Sequence, residues 1–295
     1  MNWINILHFY QPPTSSKEQI DEVVKSSYQP WVNFLNKYKN VKTTINLTGC
    51  LTEKLFNLGY GKLLKNFVAL AQCGQIEFLE TAAFHPILPL IPEKEIIKQI
   101  QINSQINKLR LGKVYKPKGF FLPELAVSNK VLKIIKKLGY KYVVLDEISL
   151  TTNNQQLTVN NNIKYKTKNG LDVIFRNRKI SQTFVPETII SLLKQDSPEK
   201  QTIIITATDG ELYGHRYWNW YPDYSYLAQI QSPPIFKGGL GGVNTLTITE
   251  YLKTLKITQT ISIRDSSWES TEKELKAGNP YALWQNPKNA IHKKL

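Results

Sequence analysis

The strongest constraint on this chain is an alternation. Short runs of β-branched and aromatic residues alternate with longer stretches of helical period. Residues 3–7, 41–47, 75–79, 118–122, 140–145, 172–176 and 202–207 read as strands. Between them, about 16–38, 51–73, 93–111, 129–138 and 186–193 read as helical, with Ser128 placed to cap one start. Parallel strands need a crossover long enough to hold a helix, so the pattern predicts βαβ units and an α/β fold. Seven such strands predict a closed or nearly closed β/α barrel. Asn169-Gly170 lies between two alternating runs and marks a hairpin whose second arm is the sixth barrel strand. No internal repeat and no low-complexity linker interrupts the chain.

A barrel gathers the C-terminal ends of its strands at one mouth, where active sites form. Those ends carry His8, Asn46, Glu80, Glu124, Asp146 with Glu147, Arg176, and Asp209 with Glu211. One polar residue at a strand end means only that the chain meets water there. A polar or ionisable group at every end predicts a carboxylate-rich pocket with few histidines.

Bulk properties narrow the chemistry. The net charge of +15 would favour a phosphate-bearing partner. Lysine is nevertheless spread over nearly every helix-like segment, which reads as a solvated surface and not as a nucleic-acid site. The two cysteines, Cys50 and Cys73, form no metal-ligand or disulfide pattern and fit a reducing compartment. The N-terminus lacks a signal peptide's basic start, and no run approaches the roughly 18 apolar residues of a membrane span. The expectation is a cytoplasmic protein without a membrane partner.

Among chemical readings, Glu124 and Asp209 form a pair. Two carboxyl groups facing each other across a cleft suit glycoside hydrolysis, one protonating the leaving oxygen while the other attacks or activates water. Each alone is more simply a capping or turn carboxylate, and Asp before Gly is common in turns. A metal site would need partners that the histidines at 8, 85, 215 and 292 do not supply, since no two are three or four residues apart. Metal chemistry of the polysaccharide-deacetylase kind therefore ranks well below carboxylate chemistry. No Gly-x-Ser-x-Gly occurs, and the glycine-rich stretch 238–242 lacks a Walker lysine, so it reads as a loop. Tyr217, Trp218, Trp220, Tyr221, Tyr224 and Tyr226 follow His215 and could pack locally or stack on sugar rings.

Four motifs occur in order: Leu7-His8-Phe9-Tyr10-Gln11-Pro12, Glu80-Thr81-Ala82-Ala83-Phe84-His85-Pro86, Phe121-Leu122-Pro123-Glu124, and Asp209-Gly210-Glu211-Leu212-Tyr213-Gly214-His215. Together they resemble the first four conserved regions of glycoside hydrolase family 57, which includes α-amylases and 4-α-glucanotransferases. The resemblance runs from about residue 3 to 225. It implies an incomplete, TIM-like (β/α)7 barrel and a retaining mechanism on α-glucan or maltooligosaccharide substrates without metal or organic cofactor, with Glu124 as nucleophile and Asp209 as general acid/base. It also implies that His8, Gln11, Glu80, His85, Phe121, Arg176, Glu211, His215, Trp218 and Trp220 line or support the substrate cleft.

The sequence departs from the family pattern in two motifs. Tyr10 replaces the histidine of a His-Gln-Pro triplet, and Phe121 replaces a tryptophan, keeping a stacking face but losing an N–H donor. The resemblance further implies a catalytic barrel over residues 1–265, with 266–295 resembling the start of a shortened C-terminal helical region.

Overall fold

A computed structural model describes residues 1–150, 159–193, 203–215, 243–286, 289 and 292. Its strands are β1 (Asn2–Phe9), β2 (Thr43–Leu47), β3 (Ile76–Leu79), β4 (Gly119–Phe121), β5 (Tyr142–Asp146), β6 (Ile163–Thr167), β7 (Asp172–Arg176), β8 (Ile203–Asp209), β9 (Asn244–Thr245) and β10 (Ile257–Ile261). β2 and β5 are buried along their whole length, as expected of parallel strands covered on both faces. That double burial is why they read as nearly unbroken apolar runs.

The strands form two sheets. One has the order β3-β2-β1-β8, with β9 also pairing with β1; the other has the order β10-β6-β7-β5-β4. Every pairing is parallel except the β6–β7 hairpin, where Gly170 turns the chain at φ +84°. Two features lie beyond the sequence reading: β9, and β10 with its parallel pairing to β6.

No closed barrel forms among the described strands. At one seam β3 and β4 meet through Glu80, which pairs with Phe120 and exchanges backbone bonds of 3.0 and 2.8 Å with Gly119 and Phe121. At the other seam, the Asn177 amide donates to the Ile205 carbonyl at 2.7 Å. There the Ala207 carbonyl accepts from the Arg176 guanidinium at 2.9 Å, where a strand amide would continue a ladder. A side chain has taken the ladder's place. Even so, one apolar cluster draws on both sheets, including Ile4, Ile6, Leu79, Phe121, Val144, Ile174 and Ile205. The strand ends of both sheets thus flank a shared interior.

The helical stretch 16–38 is not continuous. α1 (Lys17–Val23) runs into a π-helical segment, Val24–Tyr28, before α2 (Gln29–Lys37). Pro30 at the start of α2 has no N–H to give the preceding turn, and its ring crowds the carbonyl four residues back. A wider turn relieves both problems. It also turns Ser27 and Tyr28 toward residues 210 and 211: Ser27 donates to the Gly210 carbonyl at 3.1 Å, and the Tyr28 hydroxyl donates to Glu211. The stretch 51–73 likewise splits into α3 (Gly49–Asn57) and α4 (Gly61–Gln72) around Gly59, at φ +90°.

Candidate active site

The turn after β4 holds its residues in an uncommon backbone conformation. Glu124 and Leu125 have φ of 56° and 45°, and His85, after β3, has φ 57°. Left-handed backbone is uncommon in side chains of this size and persists where surrounding bonds over-determine it. Here Leu125 N bonds the Leu122 carbonyl at 2.8 Å, Ala126 N bonds that of Pro123 at 3.0 Å, and the Trp268 amide donates to the Glu124 carbonyl at 3.1 Å. Pro123 in the turn narrows the alternatives further.

This backbone presents the Glu124 carboxylate with both oxygens held. Oε1 lies 2.8 Å from His85 Nε2, and Oε2 accepts from the Trp268 indole at 2.7 Å. An ionised carboxylate only accepts, so His85 donates from Nε2. The Glu124 side chain keeps 23% of its surface exposed, so a ligand can reach it.

Beside it runs a column of four rings. Phe121 stacks on His8 at 5.0 Å with planes 9° apart, His8 on His85 at 4.7 Å, and His85 on Tyr10 at 4.4 Å. Burial, and then the neighbouring His85, push the His8 imidazole well below its ordinary pKa, so the ring is neutral. His8 Nδ1 faces Asn46 Oδ1 at 2.5 Å and is its donor, which leaves Nε2 as a buried lone-pair acceptor without a partner among the described residues. His8 pairs with Asp209 in the β1–β8 register. The column therefore leads from the Glu124 partner His85 to β1, whose neighbour β8 ends in Asp209.

Asp209 closes β8, and Gly210 follows because space demands it: a Cβ there would fall 1.8 Å from the Phe9 ring. Glu211 is only 3% exposed and accepts from the Tyr10 amide at 3.2 Å and from the Tyr28 hydroxyl. Burial, reinforced by the charge of Asp209, raises its carboxyl to about 7; bonds from Tyr28, its own backbone and Gln11 oppose the rise. Gln11 therefore belongs to the carboxylate cluster at this end of the mouth. His215 turns outward to the first helices, 3.0 Å from Ser26 Oγ and 3.9 Å from Glu22.

Two strand-end residues face inward. Glu80 is fully buried and accepts from Asn103 (2.5 Å), Tyr115 (2.8 Å), the Thr81 amide (3.3 Å) and Tyr140 (3.0 Å). Burial raises its pKa against those bonds. Arg176 is buried too. It donates to Asp146 at 2.6 Å and lies 4.7 Å over the Trp268 ring, while Arg178 takes the other Asp146 oxygen at 2.9 Å. Trp218, Trp220, the other aromatics after His215 and the glycine-rich stretch 238–242 lie outside the described residues. Trp268 and Tyr28 are site residues that the sequence reading missed. For Trp268 the only signal is an aromatic inside a polar Ser-Ser-Trp-Glu-Ser stretch.

Comparison with known proteins bears on this arrangement. The description of glycosyl hydrolase family 57 matches residues 4–264, most of the chain. The chain belongs to glycosyl hydrolase family 57. An α-amylase of Pyrococcus abyssi is 27% identical over 226 residues, covering 72% of this chain and 33% of the relative. A 4-α-glucanotransferase of Thermococcus litoralis is 25% identical over 267 residues, covering 85% of this chain and 38% of the relative. The chain thus spans about a third of the length of these curated family 57 relatives. The crystal structure of 4-α-glucanotransferase from Thermococcus litoralis superposes with a TM-score of 0.73 at 23% identity, over 90% of this chain and 42% of the other, a likeness of fold. Among the described residues no helix is long and apolar enough to cross a membrane.

Proposed function

We propose that this family 57 chain acts on α-glucans or maltooligosaccharides as a retaining glycoside hydrolase or 4-α-glucanotransferase. One observation carries the reading: a partly exposed Glu124 carboxylate, held at both oxygens on a left-handed turn, stands beside a ring column whose His8 lies in register with Asp209. In this reading the two sheets act together as an incomplete seven-strand barrel over residues 1–265, and the chain from 266 onward begins the region that walls the cleft.

Glu124 attacks the anomeric carbon as the bond to the leaving sugar breaks, and Asp209 gives its proton to the leaving oxygen. Asp209 then takes a proton from water or from an acceptor hydroxyl. That oxygen attacks the same carbon and frees Glu124. Hydrolysis and transfer differ only in which acceptor arrives. A retaining pair requires carboxyl groups about 5–5.5 Å apart in the working enzyme. His8, with its free lone pair, and His85, Gln11 and Phe121 line the cleft. Glu80, Arg176 and Glu211 support it from beneath, His215 supports its rim, and Trp218 and Trp220 supply stacking surfaces for sugar rings.

Product analysis on maltoheptaose tests the reading. Shorter products alone mean hydrolysis, and longer ones mean transfer. Binding of maltoheptaose without any product overturns the catalytic reading in favour of a carbohydrate-binding relative. Activity abolished by a chelator overturns the metal-free carboxylate chemistry.

A further inference from the structure

Trp268 lies beyond residues 4–264, the part matched by the family description, yet it makes two bonds to Glu124. Its indole N–H reaches Oε2 at 2.7 Å, and its amide N–H reaches the Glu124 carbonyl at 3.1 Å. The segment that carries it is tied down on both sides. Ser266 exchanges backbone bonds with Val127 at 2.8 and 3.3 Å, the Ser267 amide donates to Ser270 Oγ at 2.8 Å, and Arg178 donates to the Ser270 carbonyl at 2.8 Å. The ring itself is clamped, with the Arg176 guanidinium 4.7 Å over one face and Phe121 edge-on at 6.2 Å. Arg176 is in turn fixed by Asp146 and by the Ala207 carbonyl of β8, two residues before Asp209.

We propose that Trp268 is a positioning residue for the nucleophile: its indole N–H fixes the plane of the Glu124 carboxylate and ties it, through Arg176, to the strand that carries Asp209. This deepens the reading of Glu124 as nucleophile and rests on it. The physical case begins with the terminal torsion of glutamate, which is broad and soft, so one hydrogen bond leaves the carboxylate free to rotate about the held oxygen. A second donor on the other oxygen removes that freedom. Indole suits the task because it donates and cannot accept; unlike an imidazole, it cannot reverse its role when protons move nearby. When one oxygen of Glu124 forms the bond to the anomeric carbon, the other keeps its donor, so the same contact persists in the glycosyl-enzyme. Displacement errors near 1 Å cost about 100-fold in rate, which is the scale of effect a lost positioning bond can have.

Steady-state kinetics on maltoheptaose with Trp268→Phe and Trp268→His test this. Phenylalanine keeps a ring against Arg176 and Phe121 and deletes the donor, whereas histidine can restore an N–H. The expected result is a fall in kcat of about 10- to 100-fold for Trp268→Phe, with KM within about twofold and the melting temperature retained, and partial recovery of kcat in Trp268→His. Unchanged kcat in Trp268→Phe, or a loss that follows melting temperature, overturns the proposal.

A measurement on the unmutated chain covers the case in which the variants do not fold. With 15N-tryptophan, the Trp268 indole resonance should move when a 5-fluoro-α-glucosyl fluoride esterifies Glu124. Esterification that leaves this resonance in place overturns the positioning role. Failure of any ester to form on Glu124 counts instead against the nucleophile assignment, so the two readings fail separately.

Discussion

The turns after β3 and β4 start from neighbouring positions and do opposite things. Each follows an apolar strand with a glutamate, and the two are linked through the Glu80–Phe120 bridge. Glu80 is sealed, with four donors satisfying its two oxygens. Glu124 has two donors and an open side. A fully buried carboxylate held by four fixed donors is out of a substrate's reach, so it serves as a knot joining β3 to helix Glu93–Leu111 and to Tyr115 and Tyr140. A carboxylate held at two points and open at a third can react. Position at a strand end does not separate these fates; the number of donors and access to solvent do.

That contrast can be broken most sharply by making the same change in both turns. Glu124→Gln keeps the shape and removes the carboxylate of the proposed nucleophile, so kcat should fall by roughly 10⁴-fold or more while the fold is retained. Undiminished turnover on maltoheptaose would erase the distinction. At Glu80 the same change should be mild, within about 1 kcal/mol in urea unfolding, because the glutamine oxygen can accept from Asn103, Tyr115 and Thr81 while its amide donates to the Tyr140 hydroxyl. Glu80→Leu strands all four donors and should cost about 3–5 kcal/mol. Equal stability of Glu80→Leu and the parent chain would show that the knot holds nothing.

Glu211 lies between the two extremes and sharpens the comparison through pH. Its carboxyl is raised from an ordinary 4.5 to about 7 in the folded chain. The native state therefore binds the proton more tightly than the unfolded state does, and stability falls as pH rises from about 4.5 to about 7. The full effect is about 3 kcal/mol at its largest. Glu211→Gln should flatten that part of the profile. Melting curves of the two proteins that stay parallel across this range would contradict the assignment.

Much of the frame is legible in the chain because double-sided burial writes itself as apolar runs. Each of the seven predicted strand segments contains a strand, and the hairpin at Asn169-Gly170 forms. The seams were not legible, since one rests on a single bridge at Glu80 and the other on an Arg176 guanidinium standing in for a strand amide. The π-helical segment was signalled only by Pro30, and its consequence, Tyr28 facing Glu211, needs the three-dimensional fold. Trp268 is 144 positions from Glu124, and nothing local in its polar surroundings states that partnership. The donors to Glu80, Asn103 and Tyr115, are similarly hidden in an amphipathic helix and the turn after it. Sequence reading named His85 among the groups around Glu124 and missed Trp268, Asn103 and Tyr115.

The central claim is that Glu124 is the carboxylate that becomes covalently bound to sugar. Incubating the intact chain with a 5-fluoro-α-glucosyl fluoride, followed by peptide mass spectrometry, tests it most directly. The account predicts a glycosyl adduct on the peptide containing Phe121-Leu122-Pro123-Glu124, lost in Glu124→Gln. An adduct on a different carboxylate would contradict it.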